Sequence, residues 1–136
     1  MSEEGKKRLK DLASRVREKL DTSGEAHLHA RGLALIEEMA KELTGPDALP
    51  GLRLFRDGPN KIKLQRERKN AEIVFEWERP IGAAVMTCVQ LGQVKRTERY
   101  VWDEATQAWR RMSGAPGEPF SDIGDALAEG LYPEGR

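Results

Sequence analysis

One thiol, two imidazoles and a few neighbouring carboxylates are all that this sequence offers to covalent or acid–base chemistry. Cys88 is the single cysteine, and His27 and His29 are the only histidines that could activate it. A reactive thiolate needs an electropositive, partly open setting, often at a helix N-terminus. Cys88 falls instead in an apolar strand pattern with Val85, Met86 and Val89, which predicts a structural cysteine. His27 and His29 are two residues apart, so on a helix they point about 200° away from each other and cannot share a metal. No second cysteine or nearby carboxylate cluster completes a zinc set. Asp122 with Asp125, and Glu37 with Glu38, come closest to paired carboxylates. The first pair lies near a predicted helix start, where the dipole favours acids, and the second on a charged helix face. Gly45, Gly51 and Gly58 stand at caps and turns and form no phosphate-cradling loop. The reading is therefore no catalytic residue, no metal site and no cofactor.

Two groups of residues are better suited to binding. Lys61, Lys63, Arg66, Lys69, Lys95, Arg96 and Arg99 would sit on or beside strands, where basic groups near aromatics can follow a nucleic-acid backbone. Glu67, Glu72, Glu76 and Glu78 interleave with them, and a Lys61–Glu76 pairing would neutralise part of the patch. Trp77, Tyr100, Trp102 and Trp109 are the large anchors, either core between sheet and helices or contacts for a partner. The strand pattern places Val85, Tyr100 and Trp102 on one face and Ala84, Met86, Cys88 and Val101 on the other. Both faces are then partly apolar, so the sheet is covered twice or offers a patch to a partner.

The bulk properties frame these candidates. A chain of 136 residues makes one domain and can bury roughly two-thirds of its unfolded surface. Charged residues make up 34% and hydrophobic ones 38%, which suits a modest core under a heavily charged surface. The 23 basic and 23 acidic side chains cancel, so global charge selects no partner. Locally the signs alternate: residues 1–20 carry seven basic groups against four acids, and residues 53–72 carry seven against three. A lone cysteine fits a reducing compartment, and the start of the chain has no apolar leader. The apolar run 81–86 is too short to span a bilayer. The expectation is a cytoplasmic protein with no membrane partner.

The elements that must position these residues read as α+β: N-terminal helices, an antiparallel meander of five to six strands, and a short C-terminal helix. Residues 1–44 form the helical segment, 45–51 a linker, 52–112 the sheet, and 113–136 a loop and helix, all within one domain. Leu9, Leu12, Ala13, Val16 and Leu20 mark one helical face with a Lys/Arg-rich face opposite. Residues 21–24 interrupt it, and Thr22 followed by Glu25 has capping-box spacing for a second helix carrying Leu28, Leu35, Ile36, Met39, Ala40 and Leu43. Gly45-Pro46 stops that helix. Strands are predicted at 52–55, 62–65, 71–78, 83–91, 94–102 and 108–112. A turn centred on Arg68-Lys69 sets Leu64 opposite Ile73, Ile62 opposite Phe75 and Lys61 opposite Glu76. A Gly92-Gln93 turn would set Val85 opposite Tyr100 and Ala83 opposite Trp102. A turn at 103–106 would set Trp109 opposite Tyr100 and Arg111 opposite Glu98. Ser121 is the expected cap of the last helix, with Ile123, Leu127 and Leu131 on its inner face.

The close of the chain, with Tyr100, Trp102 and Trp109 on strands and Phe120 opening a helix, is similar in layout to the closing strands and helix of the frataxin family. The likeness covers about the last third of the sequence and is one of topology. Frataxins carry an acidic ridge on the first helix where residues 6–19 here are basic, so the resemblance brings no iron site with it. The function expected from all this is a small non-enzymatic protein-interaction module: an adaptor, an immunity-type inhibitor, a chaperone or an assembly subunit. The alternatives are a nucleic-acid-binding protein using the basic strands, and a ligand-binding or enzymatic domain with a pocket between sheet and helices.

Overall fold

A computed structural model describes every residue except Met1, Ser23, Ser113 and Arg136, with side chains throughout except at 17–22. Helices α1 (Glu3–Thr22) and α2 (Glu25–Leu43) precede six strands, β1 (Leu52–Arg56), β2 (Lys61–Arg66), β3 (Ala71–Glu78), β4 (Ala83–Gln90), β5 (Gln93–Asp103) and β6 (Ala108–Arg111). Helix α3 (Pro119–Gly130) follows the sheet. All neighbouring strands are antiparallel and their spatial order is their chain order, so the sheet is a plain meander in an α+β fold.

Local chemistry starts each helix. The Gly5 N–H donates to Ser2 Oγ at 3.1 Å, and Glu3 and Glu4 put negative charge in the first turn of α1. The expected Thr22 cap is corrected: α1 runs through Thr22, and the residue before α2 is Gly24, left-handed at φ 90 with no side-chain cap. A chain turning straight from one helix into the next needs a positive φ there, and glycine supplies it at no steric cost. Glu118, and not Ser121, caps α3; its carboxylate accepts from the N–H groups of Phe120 (3.2 Å) and Ser121 (2.6 Å). Pro119 follows at a position where a missing N–H is harmless.

The β2–β3 register is the expected one, with Lys61, Ile62 and Leu64 opposite Glu76, Phe75 and Ile73. The β4–β5 register is not. The turn sits at Leu91-Gly92, with φ 53 and 76, the two positive values of the hairpin turn that matches strand twist. A bulge between Cys88 and Val89 then shifts the pairing again, so Tyr100 lies opposite Ala84 and Val85 opposite Arg99. A one-residue slip exchanges the two faces of a strand. Tyr100 and Trp102 therefore share a face with Ala84 and Met86, and not with Val85 as expected. The β5–β6 pairing is displaced by two residues, with Trp102 opposite Trp109 and Tyr100 opposite Arg111. There the turn begins one residue later, where the Asp103 carboxylate accepts from the Ala105 N–H at 3.0 Å.

Helices α2 and α3 pack on this same face. Leu35, Ile36 and Met39 of α2 and Ile123, Ala126 and Leu127 of α3 close over Ile62, Leu64, Ile73, Phe75, Trp77, Met86 and Tyr100 in one core. The opposite face carries Val74, Val85 and Val101 among Lys61, Lys63, Glu72, Glu76 and Arg99, and neither α2 nor α3 reaches it. Helix α2 comes close to the sheet at Gly32, where an added Cβ would fall inside the Trp77 indole. Alanine in a helix is normally worth about 1 kcal/mol over glycine. Here the clash outweighs it, and Gly32→Ala is expected to destabilise the domain by about 1–3 kcal/mol in urea unfolding.

Candidate functional site

The three tryptophans form a ladder across the sheet end under α2. Trp77 and Trp109 meet edge to face with centroids 5.8 Å apart, and Trp109 and Trp102 likewise at 5.6 Å. Trp77 Nε1 donates to His29 Nδ1 at 2.9 Å, and the Arg31 guanidinium stacks 4.1 Å above the Trp102 ring. Trp77 and Tyr100 are 1% and 0% exposed, so the expectation of partner contacts fails for these two. Trp102 and Trp109 keep part of their surface. Trp102 Nε1 is buried without a partner.

Beneath α3 lies an ionic cluster of which the strand pattern in the sequence brings together only Arg111 and Glu98. Arg96, Glu98 and Tyr100 alternate along the covered face of β5, Arg111 faces them from β6, and Asp122 enters from the first turn of α3. Asp122, 3% exposed, takes a bidentate fork from Arg111 at 2.6 and 3.1 Å and a hydrogen bond from Tyr100 Oη at 2.7 Å. Arg96 lies 3.8 Å from the same carboxylate and bonds Glu98 at 3.2 Å, while Glu98 also stands 3.5 Å from Arg111. Two cations and two anions cancel in a half-dry space. Burial by itself pushes the Asp122 carboxyl up, but Arg111, Tyr100 and Arg96 together hold it below the usual carboxylate range. Burial and the Asp122 hydrogen bond push the Tyr100 hydroxyl far up, so it stays a donor. The cluster clamps α3 to the sheet; its polar atoms are spent on one another.

The other candidates are scattered. Cys88 is opposite Ile73 at one end of β3–β4, whereas His29 is bound to Trp77 at the other end, so thiol and imidazole do not meet. Burial pushes the Cys88 thiol up, against the pull of Arg96. Among the described residues, no three His, Cys, Asp or Glu side chains gather as metal ligands. The seven basic candidates do not share one surface, although Lys61, Lys63 and Arg99 lie together on the uncovered face. Lys61 and Lys63 are on the uncovered face, 3.8 Å from Glu76 and Glu72 respectively. Arg66 is on the helix side, bonded to Glu134 at 2.6 Å and to the Leu131 carbonyl at 2.9 Å, with its guanidinium 4.2 Å above the Tyr132 ring. Arg96 belongs to the cluster under α3. Lys69 is in the β2–β3 turn, and Lys95 and Arg99 are exposed on β5. A cleft of about 440 Å³ between α2 and β3 is lined by Leu33, Trp77, Pro80 and Ile81. Of its polar groups, His29 and Asn60 are bonded to Trp77 at 2.9 and 3.2 Å, and Glu76, Glu78 and Arg79 complete the polar lining.

What remains open is α1. From Ser2 to Val16 every residue but Gly5 is exposed, and Leu9, Leu12 and Val16 show 54%, 53% and 46% of their surface to water. The fourth member of the predicted apolar face, Ala13, is exposed as well, while Leu20 lies outside the described side chains. Periodicity found the stripe; its being left uncovered was not legible.

The clamp under α3 generates a pH signature. A carboxyl held below its unfolded value stabilises the fold at neutral pH, and that stabilisation fades as pH falls from about 4 through its folded pKa. Asp122→Asn is expected to cost about 3 kcal/mol at pH 7 in urea unfolding and to flatten the acid limb of the stability curve. No helix among the described residues is long and apolar enough to cross a membrane. No family model, no curated protein and no solved structure matches the chain.

Proposed function

We propose that the chain is a non-enzymatic protein-interaction module whose first helix is the docking element. What supports this reading is the uncovered apolar stripe Leu9, Leu12 and Val16 on a 20-residue helix whose residues 3–16 are solvated nearly throughout. Most helical stability in proteins comes from burying an amphipathic face, and a lone helix of this length is marginal in water. Covering the stripe would gain on the order of 1 kcal/mol per half-exposed leucine. A helix that keeps such a face free, joined to a domain with its own closed core, suits an adaptor, inhibitor, chaperone or assembly subunit.

The nucleic-acid reading has less behind it. Lys61 and Lys63 stand against carboxylates, and Arg66 and Arg96 are used on the other side of the sheet. It would require affinity that falls steeply with salt.

The test is a comparison of the wild-type chain with a triple variant, Leu9→Ala, Leu12→Ala and Val16→Ala, as bait in an extract of the source cells. These side chains lie outside the core cluster, so the melting temperature is expected to hold within about 2 °C. Loss of a stoichiometric protein partner in the triple variant supports the reading. A partner retained unchanged, or recovery that depends on nuclease treatment, overturns it.

A further inference from the structure

The charges beside the stripe name the kind of surface that would cover it, granted the interaction-module reading. At 100° per residue, Leu9, Leu12, Ala13 and Val16 fall within about 100° of arc. Their spacing is i, i+3, i+4 and i+7, the anchor pattern of a helix laid in a groove. Arg8 and Arg15 border one edge of this arc, and Lys6 and Lys10 border the other. Asp11 projects toward the far side, while Glu4 and Glu3 lie about 20° beyond Arg15 and Lys10, one step outside the basic edges. The ion pairs of Lys6 with Glu3 (3.9 Å) and Arg8 with Glu4 (3.5 Å) are long and exposed, too weak to neutralise the rim.

From this sorting we infer that α1 seats in an apolar groove of a partner protein whose rim is acidic, with Leu9, Leu12 and Val16 as anchors and the four basic side chains on its carboxylates. A second copy of the chain is a poor occupant: in parallel or antiparallel pairing, a basic edge meets a basic edge. A lipid surface is poorer than a groove, because interfacial helices present a broad face rich in Trp, Phe or Leu. Among the described side chains this stripe is narrow and holds three large aliphatic groups and no aromatic.

The probes are two synthetic heptad helices with leucine at both core positions, one with glutamate and one with lysine at the flanking positions, each of which repels its own copies. Titrated with the full chain at low salt, the glutamate helix is expected to bind at least about tenfold more tightly than the lysine helix, with the preference shrinking at high salt. Reversal of the rim by Lys6→Glu, Arg8→Glu, Lys10→Glu and Arg15→Glu is expected to invert the preference. If that variant fails to fold, the wild-type ratio alone decides. Equal affinity for the two helices overturns the acidic groove, as does tighter binding to phosphatidylserine vesicles than to the glutamate helix, or a dimer held by α1 in sedimentation. Leu9→Ala with Leu12→Ala separates the two levels of the argument. Binding that needs the leucines but ignores charge sinks only the acidic rim. Binding to neither helix, or binding indifferent to the leucines, sinks the docking helix as well.

Discussion

Side chains alternate along a strand, so a sheet with helices on one side depends on each strand turning the correct half of its residues toward them. In this fold the constraint is tightest at β5. That strand must deliver Arg96, Glu98, Tyr100 and Trp102 to the helices and leave Thr97, Arg99 and Val101 outside. The bulge at Cys88/Val89 sets its parity, because it shifts the pairing by one residue, whereas placing the turn at Leu91-Gly92 shifts it by two and leaves the faces unchanged. The bulge interrupts the ladder locally, at a cost of about 1 kcal/mol. The alternative parity would put Tyr100 and Trp102 in water, bring Thr97, Arg99 and Val101 under the helices and lose the Tyr100–Asp122 bond, a far larger loss. Parity wins, and the bulge is its local consequence.

From that parity follow both the core and the clamp. With Tyr100 inside, its ring packs at 6.0 Å from Phe75 and its hydroxyl reaches Asp122. The Arg111 fork accepts the carboxylate in one orientation only, so the first turn of α3 is fixed against β6. The edges are handled separately. β6 is only four residues long, and β1 carries Arg53 and Arg56, which bond Glu67 and Glu37. Short or charged edges discourage pairing with other sheets.

The order of elements, the α2 core face and the β2–β3 register were legible because each rests on a short-range pattern. Ile62 and Leu64 can face Phe75 and Ile73 in only one register that also satisfies Lys61 and Glu76. The β4–β5 hairpin misled because Leu91 is a poor sequence signal for positive φ, and glycine at 92 reads equally well as the first or the second turn residue. The turn error alone keeps the faces, since it shifts the pairing by two; the bulge at Cys88/Val89 moves Tyr100 and Trp102 to the side of Ala84 and Met86, and with it the clamp around Asp122 goes unseen. An alternation of Arg, Glu and Tyr on a strand that must face a helix was the available clue. The α1 stripe was legible as a stripe; whether a partner element of the same chain covers it is a property of the whole fold.

The meander has a consequence for the order in which the molecule can be made. Every strand pairs with its neighbour in sequence, so hairpins can close one after another as the chain leaves the ribosome. The lid cannot. Helix α3 follows the whole sheet, and the bonds that tie its far end down reach back across the chain, Tyr132 Oη to the Pro50 carbonyl and Arg66 to the Leu131 carbonyl. During synthesis a nearly finished sheet therefore waits with Phe75, Met86 and Tyr100 under half a roof. The nascent chain is most prone to stick in that interval, and it ends only when α3 has emerged.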